Sequence, residues 1–503
     1  MSPPFNRRDF LRLAGMLPLS LTAPRLLRRL SSAAAQQNVL IIVFDALSSY
    51  HLSLYGYQRE TMPNLSRLAE RAIVYHNHYA GSSFTTPGTA TLLTGTLPWT
   101  NRAIDGGGRV ADRVVSHNIF AAFGDYYRLA YSHNSWAEIL LRQFEASLDR
   151  LVPRHDLYLG EGGLSPVGFF PVDDDIATVG WTRYSQVDQG HAYSLFLSAA
   201  EPWLQKQWLA GYVKAFPEGL PMTIAKQAFL LEDAVRWFSV EMPRLPQPFM
   251  SYLHLLPPHA PYHPSAEFLD RFAGDKLQVA AKPLSIFHST PVPRDQMESR
   301  ERYDEFLLYA DKALGRFHRS LEAAGLLKNT WLVFTSDHGE MFERGIPAHD
   351  GEALYEPIIR VPLLIFEPGR TDRLDIHDVT SAVDVLPTLA HVTGHEAPAW
   401  AEGTLLPPFG PSDAARPVYA LRAPEDDPAL PFAKLSTVLV KGKYKLHHYF
   451  GYPVLKGAEL VQLYDVGADP EEMNDLAAVQ EDVASTMLKE VKARIAEVNR
   501  PYE

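Results

Sequence analysis

Residues 38–48 read NVLIIVFDALS, and every residue from Val39 to Phe44 is apolar. An uninterrupted apolar run of this length is typical of a β-strand buried on both faces, as the strands of parallel α/β sheets are. The run stops at Asp45. Because ligand sites of open α/β sheets lie at the carboxyl ends of the strands, Asp45 is the first candidate for a functional residue.

The segments that follow continue this pattern. Strands are predicted within residues 247–255, 330–340 and 360–369, and helices within residues 61–75, 301–327 and 381–394. Thr61 is the expected cap of the first helix, and the helix of residues 301–327 carries an apolar stripe of Phe306, Ala310, Ala313, Phe317 and Leu321. Strands that alternate with helices of these lengths predict a doubly wound α/β sheet.

The chain divides into three predicted regions. Residues 1–36 contain Arg7-Arg8-Asp9-Phe10-Leu11 followed by a short apolar stretch, which resembles a twin-arginine export signal. Residues 37–400 form the predicted catalytic domain. After a loop-rich stretch, residues 401–503 are predicted as a smaller subdomain of antiparallel strands and a closing helix.

Composition excludes several classes of function. The chain has no cysteine among its 503 residues, which excludes disulfides, thiolate catalysis and cysteine metal sites. The net charge of −12 argues against a nucleic-acid partner, because such binding needs surplus basic residues. The apolar part of the N-terminal segment is shorter than the ~20 residues of a membrane span, so no transmembrane segment is predicted.

A second motif lies at residues 85–95, which read TTPGTATLLTG. Pro87 suits the first turn of a helix and Gly95 suits its end. Thr85 therefore lies at a helix N-terminus, where free N–H groups and the helix dipole favour an anion.

Polar residues also end the strand predicted within residues 330–340, in the sequence Ser336-Asp337-His338-Gly339. Two carboxylates and an imidazole, from Asp45, Asp337 and His338, make a suitable site for a divalent cation. A hydroxyl directed at that cation, such as that of Thr85, would lose its proton more easily and become a nucleophile.

Together these motifs resemble the sulfatase family within the alkaline phosphatase superfamily. Eight stretches carry the resemblance in family order: residues 38–57, 61–70, 85–98, 252–264, 334–340, 354–365, 383–394 and 463–477. The resemblance implies a large, mixed but mostly parallel sheet flanked by helices, with a small antiparallel C-terminal subdomain. It also implies one bound divalent ion, Mn, Zn or Ca.

The resemblance assigns roles position by position. Asp45, Asp337 and His338 match metal ligands, and Thr85 matches the nucleophile and a further metal contact. His259 and His349 match histidines that contact the substrate or its leaving group.

Three further side chains are candidates on weaker grounds. Thr86 and His263 are candidates for substrate binding; His263 is alternatively a second-metal ligand or an ordinary surface-loop histidine. Glu340 either orients His338 or begins a turn.

One departure from the family pattern changes the expected chemistry. True sulfatases place a Cys or Ser, converted to formylglycine, two residues before the proline, in a pattern that ends Pro-Ser-Arg. Here that position is Thr85, and Gly88 and Thr89 replace the Ser and Arg. No formylglycine is therefore expected.

An unmodified threonine alkoxide favours phosphorus esters as substrates. The ester that it forms with the transferred group can be released only when water attacks the central phosphorus or sulfur atom, and such attack is suited to phosphorus. Relatives with threonine at this position include phosphoethanolamine transferases, which carry membrane helices that this sequence lacks. The expected protein is an exported, extracytoplasmic hydrolase of phosphodiesters or phosphonate esters, acting through a phosphothreonine. Its substrate would be a small molecule, or a glycan or lipid-headgroup ester. A sulfuric ester hydrolase is the alternative, followed by a phosphoethanolamine-type transferase or a degenerate binding protein.

Overall fold

The computed structural model describes residues 36–159, 210–223, 227–288, 295–349, 351–424 and 426–503. The predicted twin-arginine segment lies outside them. The strands are β1 (Asn38–Phe44), β2 (Ile73–Tyr79), β3 (Tyr127–Ser132), β4 (Arg150–Leu151), β5 (Phe249–Leu255), β6 (Thr330–Thr335), β7 (Met341–Glu343), β8 (Ile346–Ala348), β9 (Leu363–Phe366), β10 (Leu374–Ser381), β11 (Val418–Arg422), β12 (Leu435–Lys441), β13 (Tyr444–Phe450) and β14 (Glu459–Asp465). The α-helices are α1 (Pro63–Ala69), α2 (Thr85–Thr94), α3 (Pro98–Asn101), α4 (Ile119–Ala122), α5 (Ser135–Gln143), α6 (Leu231–Glu241), α7 (Asp295–Ala323), α8 (Glu356–Ile359), α9 (Val385–Val392) and α10 (Glu481–Asn499).

The central sheet has eight strands in the order β10-β2-β9-β6-β1-β5-β3-β4. β1 is parallel to both of its neighbours, β5 and β6, and β9 runs antiparallel to its neighbours β2 and β6. The sheet is thus mixed but mostly parallel, which confirms the predicted fold class.

The alternation of side chains along β1 explains why its sequence is continuously apolar. Leu40, Ile42 and Phe44 belong to a core cluster on one face, together with the predicted apolar stripe of α7. Val39, Ile41 and Val43 belong to a second cluster, which includes residues of α2 and α9. Helices therefore cover both faces of the sheet, and its carboxyl edge is left to carry the polar residues.

The helix prediction for residues 61–75 was wrong in two respects. The helix ends at Ala69, and residues from Ile73 onward form β2, which pairs with β9 and β10. Thr61 does not cap the helix but donates its hydroxyl hydrogen to the His51 carbonyl. The Asp311 carboxylate of α7 accepts the first free N–H groups instead.

The C-terminal part forms a separate antiparallel sheet in the order β11-β12-β13-β14, against which α10 packs. Buried charges join it to the main sheet. Lys445 of β13 pairs with Glu356 of α8 at 3.0 Å, and both side chains are at most 1% exposed. The domain boundaries at residues 36/37 and 400/401 remain predictions. Within the described ranges, no helix is both long and apolar enough to cross a membrane.

Candidate active site

The sheet topology brings Asp45 and the Asp337-His338 pair to the same edge. β1 and β6 are parallel neighbours with Val43 opposite Thr335, so the residues that follow the two strands emerge together. Thr85 is the first residue of α2, whose axis begins at this edge. Asp45, Thr85, Asp337 and His338 are each at most 1% exposed.

In both Asp45 and Asp337, one carboxylate oxygen accepts hydrogen bonds from described residues and the other oxygen accepts none. Oδ2 of Asp45 accepts hydrogen bonds from Asn134 Nδ2 at 2.6 Å and His254 Nε2 at 3.1 Å. Oδ1 of Asp337 accepts the N–H groups of Ala46 and His338, at 3.3 and 3.1 Å. Asp45 Oδ1 and Asp337 Oδ2 are buried and have no hydrogen-bond donor among the described residues.

His338 completes the group because its tautomer is fixed. Its Nδ1 lies 2.9 Å from the Gly339 carbonyl, which can only accept, so Nδ1 carries the proton and Nε2 presents a lone pair. Nε2 lies 3.5 Å from Asp45 Oδ1 and 3.7 Å from Asp337 Oδ2.

The three ligand atoms all lie within 4.8 Å of one another, so the residues present fit a divalent cation. Thr85 Oγ1, at 3.2 Å from His338 Nε2, is placed to be a fourth ligand.

The electrostatics of the group favour a cation. Burial raises the pKa of Asp337, and the nearby Asp45 charge raises it further. Burial alone would also raise the pKa of Asp45, but the neighbouring His259 and His254 lower it below its ordinary value. Two carboxylates in one buried site repel each other, and a divalent cation relieves that repulsion.

The two predicted substrate histidines also lie in this site. His259 donates from Nδ1 to the Ala260 carbonyl at 2.7 Å, and its buried Nε2 has no partner in the described part of the chain. The His349 ring centroid lies 4.9 Å from that of His259 and 4.4 Å from that of His338. Burial lowers the pKa of His259, but the charges of Asp45 and Glu340 outweigh this effect and raise it overall.

Glu340 orients a different histidine from the one expected. Its Oε1 accepts a hydrogen bond from His349 Nδ1 at 2.9 Å, not from His338. Burial raises the pKa of Glu340 to about 7. The carboxylate thus positions the imidazole of His349 beside the Thr85 group.

Thr86 and His263 have contacts outside this group. Thr86 Oγ1 accepts the N–H of Gly107 at 3.2 Å and is fully buried. His263 Nδ1 bonds the Leu220 carbonyl at 2.8 Å, and its ring packs against Gly219. These contacts give no support to a substrate-binding role for either residue.

Sequence reasoning missed Asn134 and the contact that His254 makes. Asn134 follows β3 at the same sheet edge, and its Nδ2 lies 2.6 Å from Asp45 and 3.4 Å from Thr85 Oγ1. His254, in β5, bridges Tyr252 and Asp45. Their positions in the sequence could have indicated this role, because both are polar residues that lie within or just after a strand on the same side of β1.

Gly88 explains the local departure from the Pro-Ser-Arg pattern. A Cβ atom added at Gly88 would lie 2.2 Å from the Asp337 carbonyl oxygen. Helix α2 therefore packs its backbone directly on the loop that carries Asp337, in the same turn of the helix as Thr85.

Aromatic side chains form one wall beside the Thr85 group. The Phe84 ring centroid is 4.9 Å from that of Trp136 and 6.4 Å from that of His338. The guanidinium of Arg422, from β11, lies 4.4 Å from the Phe84 ring centroid. The C-terminal sheet thus contributes a cationic side chain next to the site.

A buried hydroxyl, two carboxylates and imidazoles at the carboxyl edge of a mostly parallel sheet define a metal-dependent ester hydrolase of the alkaline phosphatase type. The sulfatase family model matches residues 37–141 and 177–395, and that of the N-sulphoglucosamine sulphohydrolase C-terminal region matches residues 346–500. The chain belongs to the sulfatase family, within the alkaline phosphatase superfamily, and it is a hydrolase of ester bonds.

Relatives and similar structures agree with this placement. The chain is 26% identical to arylsulfatase A of Bos taurus, over 92% of this chain and 87% of the bovine protein. It is also 26% identical to choline-sulfatase of Rhizobium meliloti (strain 1021), over 88% and 82% of the two chains.

Two solved structures resemble the fold. A phosphonate monoester hydrolase of Agrobacterium radiobacter superimposes with a TM-score of 0.66 at 19% identity, over 92% of this chain and 96% of that one. A 2-O GAG sulfatase gives a TM-score of 0.61 at 18% identity, over 92% of each chain.

Proposed function

We propose that this chain is an exported, metal-dependent hydrolase of phosphodiesters or phosphonate esters, with Thr85 as its nucleophile. The observation that carries the proposal is the position of Thr85 Oγ1, which lies 3.2 Å from His338 Nε2. The chain contains no cysteine that could serve as a formylglycine precursor. Export through the twin-arginine machinery rests on the N-terminal sequence alone.

Asp45, Asp337 and His338 would hold the cation through Asp45 Oδ1, Asp337 Oδ2 and His338 Nε2. When bound, a divalent ion supplies a Lewis acid that stabilises negative charge on a phosphoryl oxygen and lowers the pKa of a hydroxyl beside it. Mn, Zn and Ca are the candidates, and a nitrogen ligand favours Mn or Zn over Ca.

The residues of the chain perform the reaction in two displacements. In the first, Thr85 Oγ releases its proton to solvent and bonds to phosphorus while the bond from phosphorus to the leaving oxygen breaks, and a histidine gives that oxygen a proton. His259 is the better placed donor because its Nε2 faces the site without a protein partner among the described residues. In the second, water bonds to phosphorus and Thr85 is released.

The preference for phosphorus follows from the nucleophile. A hydrated aldehyde expels sulfate by collapsing to the aldehyde, whereas a threonine ester must be cleaved by attack at its central atom. That attack is ordinary chemistry at phosphorus. The free N–H groups at the start of α2 would add charge stabilisation for the transferred group.

Hydrolysis of sulfuric esters is the second candidate, and the curated relatives favour it. Arylsulfatase A and choline-sulfatase align with most of this chain. A phosphoethanolamine-type transferase and a degenerate binding protein are further alternatives. The intact set of three ligand residues supports an enzyme over a binding protein.

The test compares substrates and traps the intermediate. The purified full chain, loaded separately with Mn, Zn or Ca, is assayed with an aryl phosphodiester, an aryl phosphonate monoester and an aryl sulfate. The proposal expects turnover of a phosphorus ester to exceed that of the sulfate, and rapid acid quenching to give a mass increase localised on Thr85. Turnover of the sulfate alone establishes the second candidate instead.

A further inference from the structure

We propose that Asn134 is a catalytic residue whose side-chain amide donates a hydrogen bond to the Thr85 oxygen while that oxygen carries negative charge. The inference rests on the proposed role of Thr85 as nucleophile. Its basis is a juxtaposition that three elements create: α2, β1 and the turn that follows β3.

The orientation of the amide is fixed by a helix cap. Asn134 is the N-cap of α5, and its Oδ1 accepts the N–H of Trp136 at 2.8 Å. A backbone N–H can only donate, so the oxygen faces Trp136 and the NH2 group faces the site. This NH2 group lies 2.6 Å from Asp45 Oδ2 and 3.4 Å from Thr85 Oγ1.

The position of the residue is also fixed along the backbone. Ser132 Oγ accepts the N–H of Asn134 and donates to its carbonyl, both at 2.9 Å. The Asn134 residue is 2% exposed, so water does not compete strongly for its donor. A preorganised donor in such a water-poor site stabilises charge far more than it would in solution.

The amide acts on both displacements. In the first, the Thr85 oxygen releases its proton to solvent and forms the bond to phosphorus, the bond from phosphorus to the leaving oxygen breaks, and His259 gives the leaving oxygen a proton. In the second, a water oxygen bonds to phosphorus, the bond between phosphorus and Thr85 Oγ breaks, and a proton from that water returns to Oγ. The Thr85 oxygen carries charge at the start of one step and at the end of the other, so a donor to this oxygen is available in both displacements.

The second hydrogen of the Asn134 NH2 group is donated to Asp45 Oδ2. Together with His254, it leaves Oδ1 as the free oxygen of Asp45. A change at Asn134 can therefore act through cation binding as well as through Thr85, and the experiment has to separate the two.

The test uses Asn134→Ser, which keeps a side chain able to cap α5 but is too short to reach Thr85. Asn118→Ser is the matched control, because Asn118 is the N-cap of α4 and bonds the N–H of Ala121 in the same way. Both variants are prepared as the full chain, with bound metal, unfolding midpoint, kcat and KM measured for aryl esters with good and poor leaving groups.

The expected result is a fall in kcat of about 10²-fold for Asn134→Ser, the size of effect seen when one oxyanion donor is removed. The fall is seen with both leaving groups, KM stays near that of the wild type, and bound metal and unfolding midpoint match those of Asn118→Ser. The inference is overturned if the two variants have equal kcat, or if excess metal restores the activity of Asn134→Ser. If the wild type itself forms no adduct on Thr85, the proposed function fails first; an adduct with unchanged kcat in Asn134→Ser defeats this inference alone.

Discussion

Thr85 Oγ1 and His338 Nε2 lie 3.2 Å apart although 253 residues separate them in the chain. The contact exists because α2 begins at the edge where β1 and β6 end side by side. Nδ1 of His338 donates its hydrogen to the Gly339 carbonyl, so Nε2 is the nitrogen that can bind a cation in the group of Asp45, Asp337 and His338. The contact therefore places the Thr85 hydroxyl next to that nitrogen.

The first prediction concerns that hydroxyl. Thr85→Ala should abolish turnover of the preferred ester, because it removes the proposed nucleophilic oxygen, and it should form no covalent adduct. Thr85→Ser keeps the hydroxyl and should retain measurable turnover and the adduct on residue 85. Steady-state rates and intact mass after acid quenching check both; an adduct on Thr85→Ala would show that another residue is the nucleophile.

The strand ends were predictable because the signal is local. A buried strand followed by a polar residue is visible at Asp45 and again at Asp337, and parallel strands bring such residues together. The orientation of side chains was not predictable. Asn134 and His254 contact Asp45, from which they are 89 and 209 residues apart in the sequence. Glu340 accepts a hydrogen bond from His349 and not from His338, although His338 is closer in the sequence.

The failed helix prediction for residues 61–75 has the same origin. Leu65, Leu68 and Ala72 have helical spacing, but β2 is defined by pairing with β9 and β10 far along the chain. Tertiary pairing overrode a short local periodicity.

A second prediction tests the close packing of α2. Gly88→Ala places a Cβ against the Asp337 carbonyl, so it should move Thr85 relative to the ligand group and lower kcat on the order of 10²-fold. Gly124→Ala is the control, since an added Cβ there meets nothing closer than a carbonyl oxygen at 3.5 Å. Equal kcat in the two variants would show that the approach of Gly88 does not position Thr85.

A third prediction concerns the cation. Chelation should abolish turnover, and adding back the cognate metal should restore it with about one ion per chain. Binding should also raise the unfolding midpoint, because the ion stabilises only the folded state. Asp45→Asn should lose both effects. A midpoint that rises equally in wild type and Asp45→Asn would place the ion elsewhere.

A fourth prediction concerns the charges between the two sheets. Lys445 lies 3.0 Å from both Glu356 and Glu472, and Glu472 also accepts the N–H of Glu356 at 2.7 Å. Lys445→Met removes the cation that these two buried carboxylates share and should lower the free energy of unfolding by about 3–5 kcal/mol. Because α8 holds Gly339 through the Ile358 carbonyl, metal affinity should fall as well.

Lys441→Met is the control for that prediction. Lys441 pairs with Glu490 at 2.8 Å, but both side chains are about a third exposed. Removal of an exposed pair changes the free energy of unfolding by at most about 1 kcal/mol. Urea unfolding of the two variants distinguishes them, and a similar small loss in both would refute a stabilising role for the Lys445 group.

The fifth prediction is that acid destabilises the fold through buried histidines. Burial lowers the pKa of His78 and of His133 to about 3, from an ordinary value of 6.5. Below pH 6.5 these two histidines bind protons in the unfolded chain but stay neutral in the folded chain. The free energy of unfolding therefore falls as the pH decreases from 6.5 towards 3. Asp311 opposes this trend, because burial raises its pKa to about 6 and the folded state then binds the extra proton.

His133 offers the sharpest test of that sign. Its ring stacks on Phe229 at 4.2 Å, and neither ring nitrogen has a hydrogen-bond partner among the described residues. His133→Phe should therefore keep the stacking and remove the proton uptake of the unfolded state. The difference in unfolding free energy between pH 7.5 and pH 5 should shrink by about 2 kcal/mol relative to the wild type. His155→Phe is the control, at a histidine whose side chain is 29% exposed. An equal response of both variants would mean that burial of His133 does not drive the acid sensitivity.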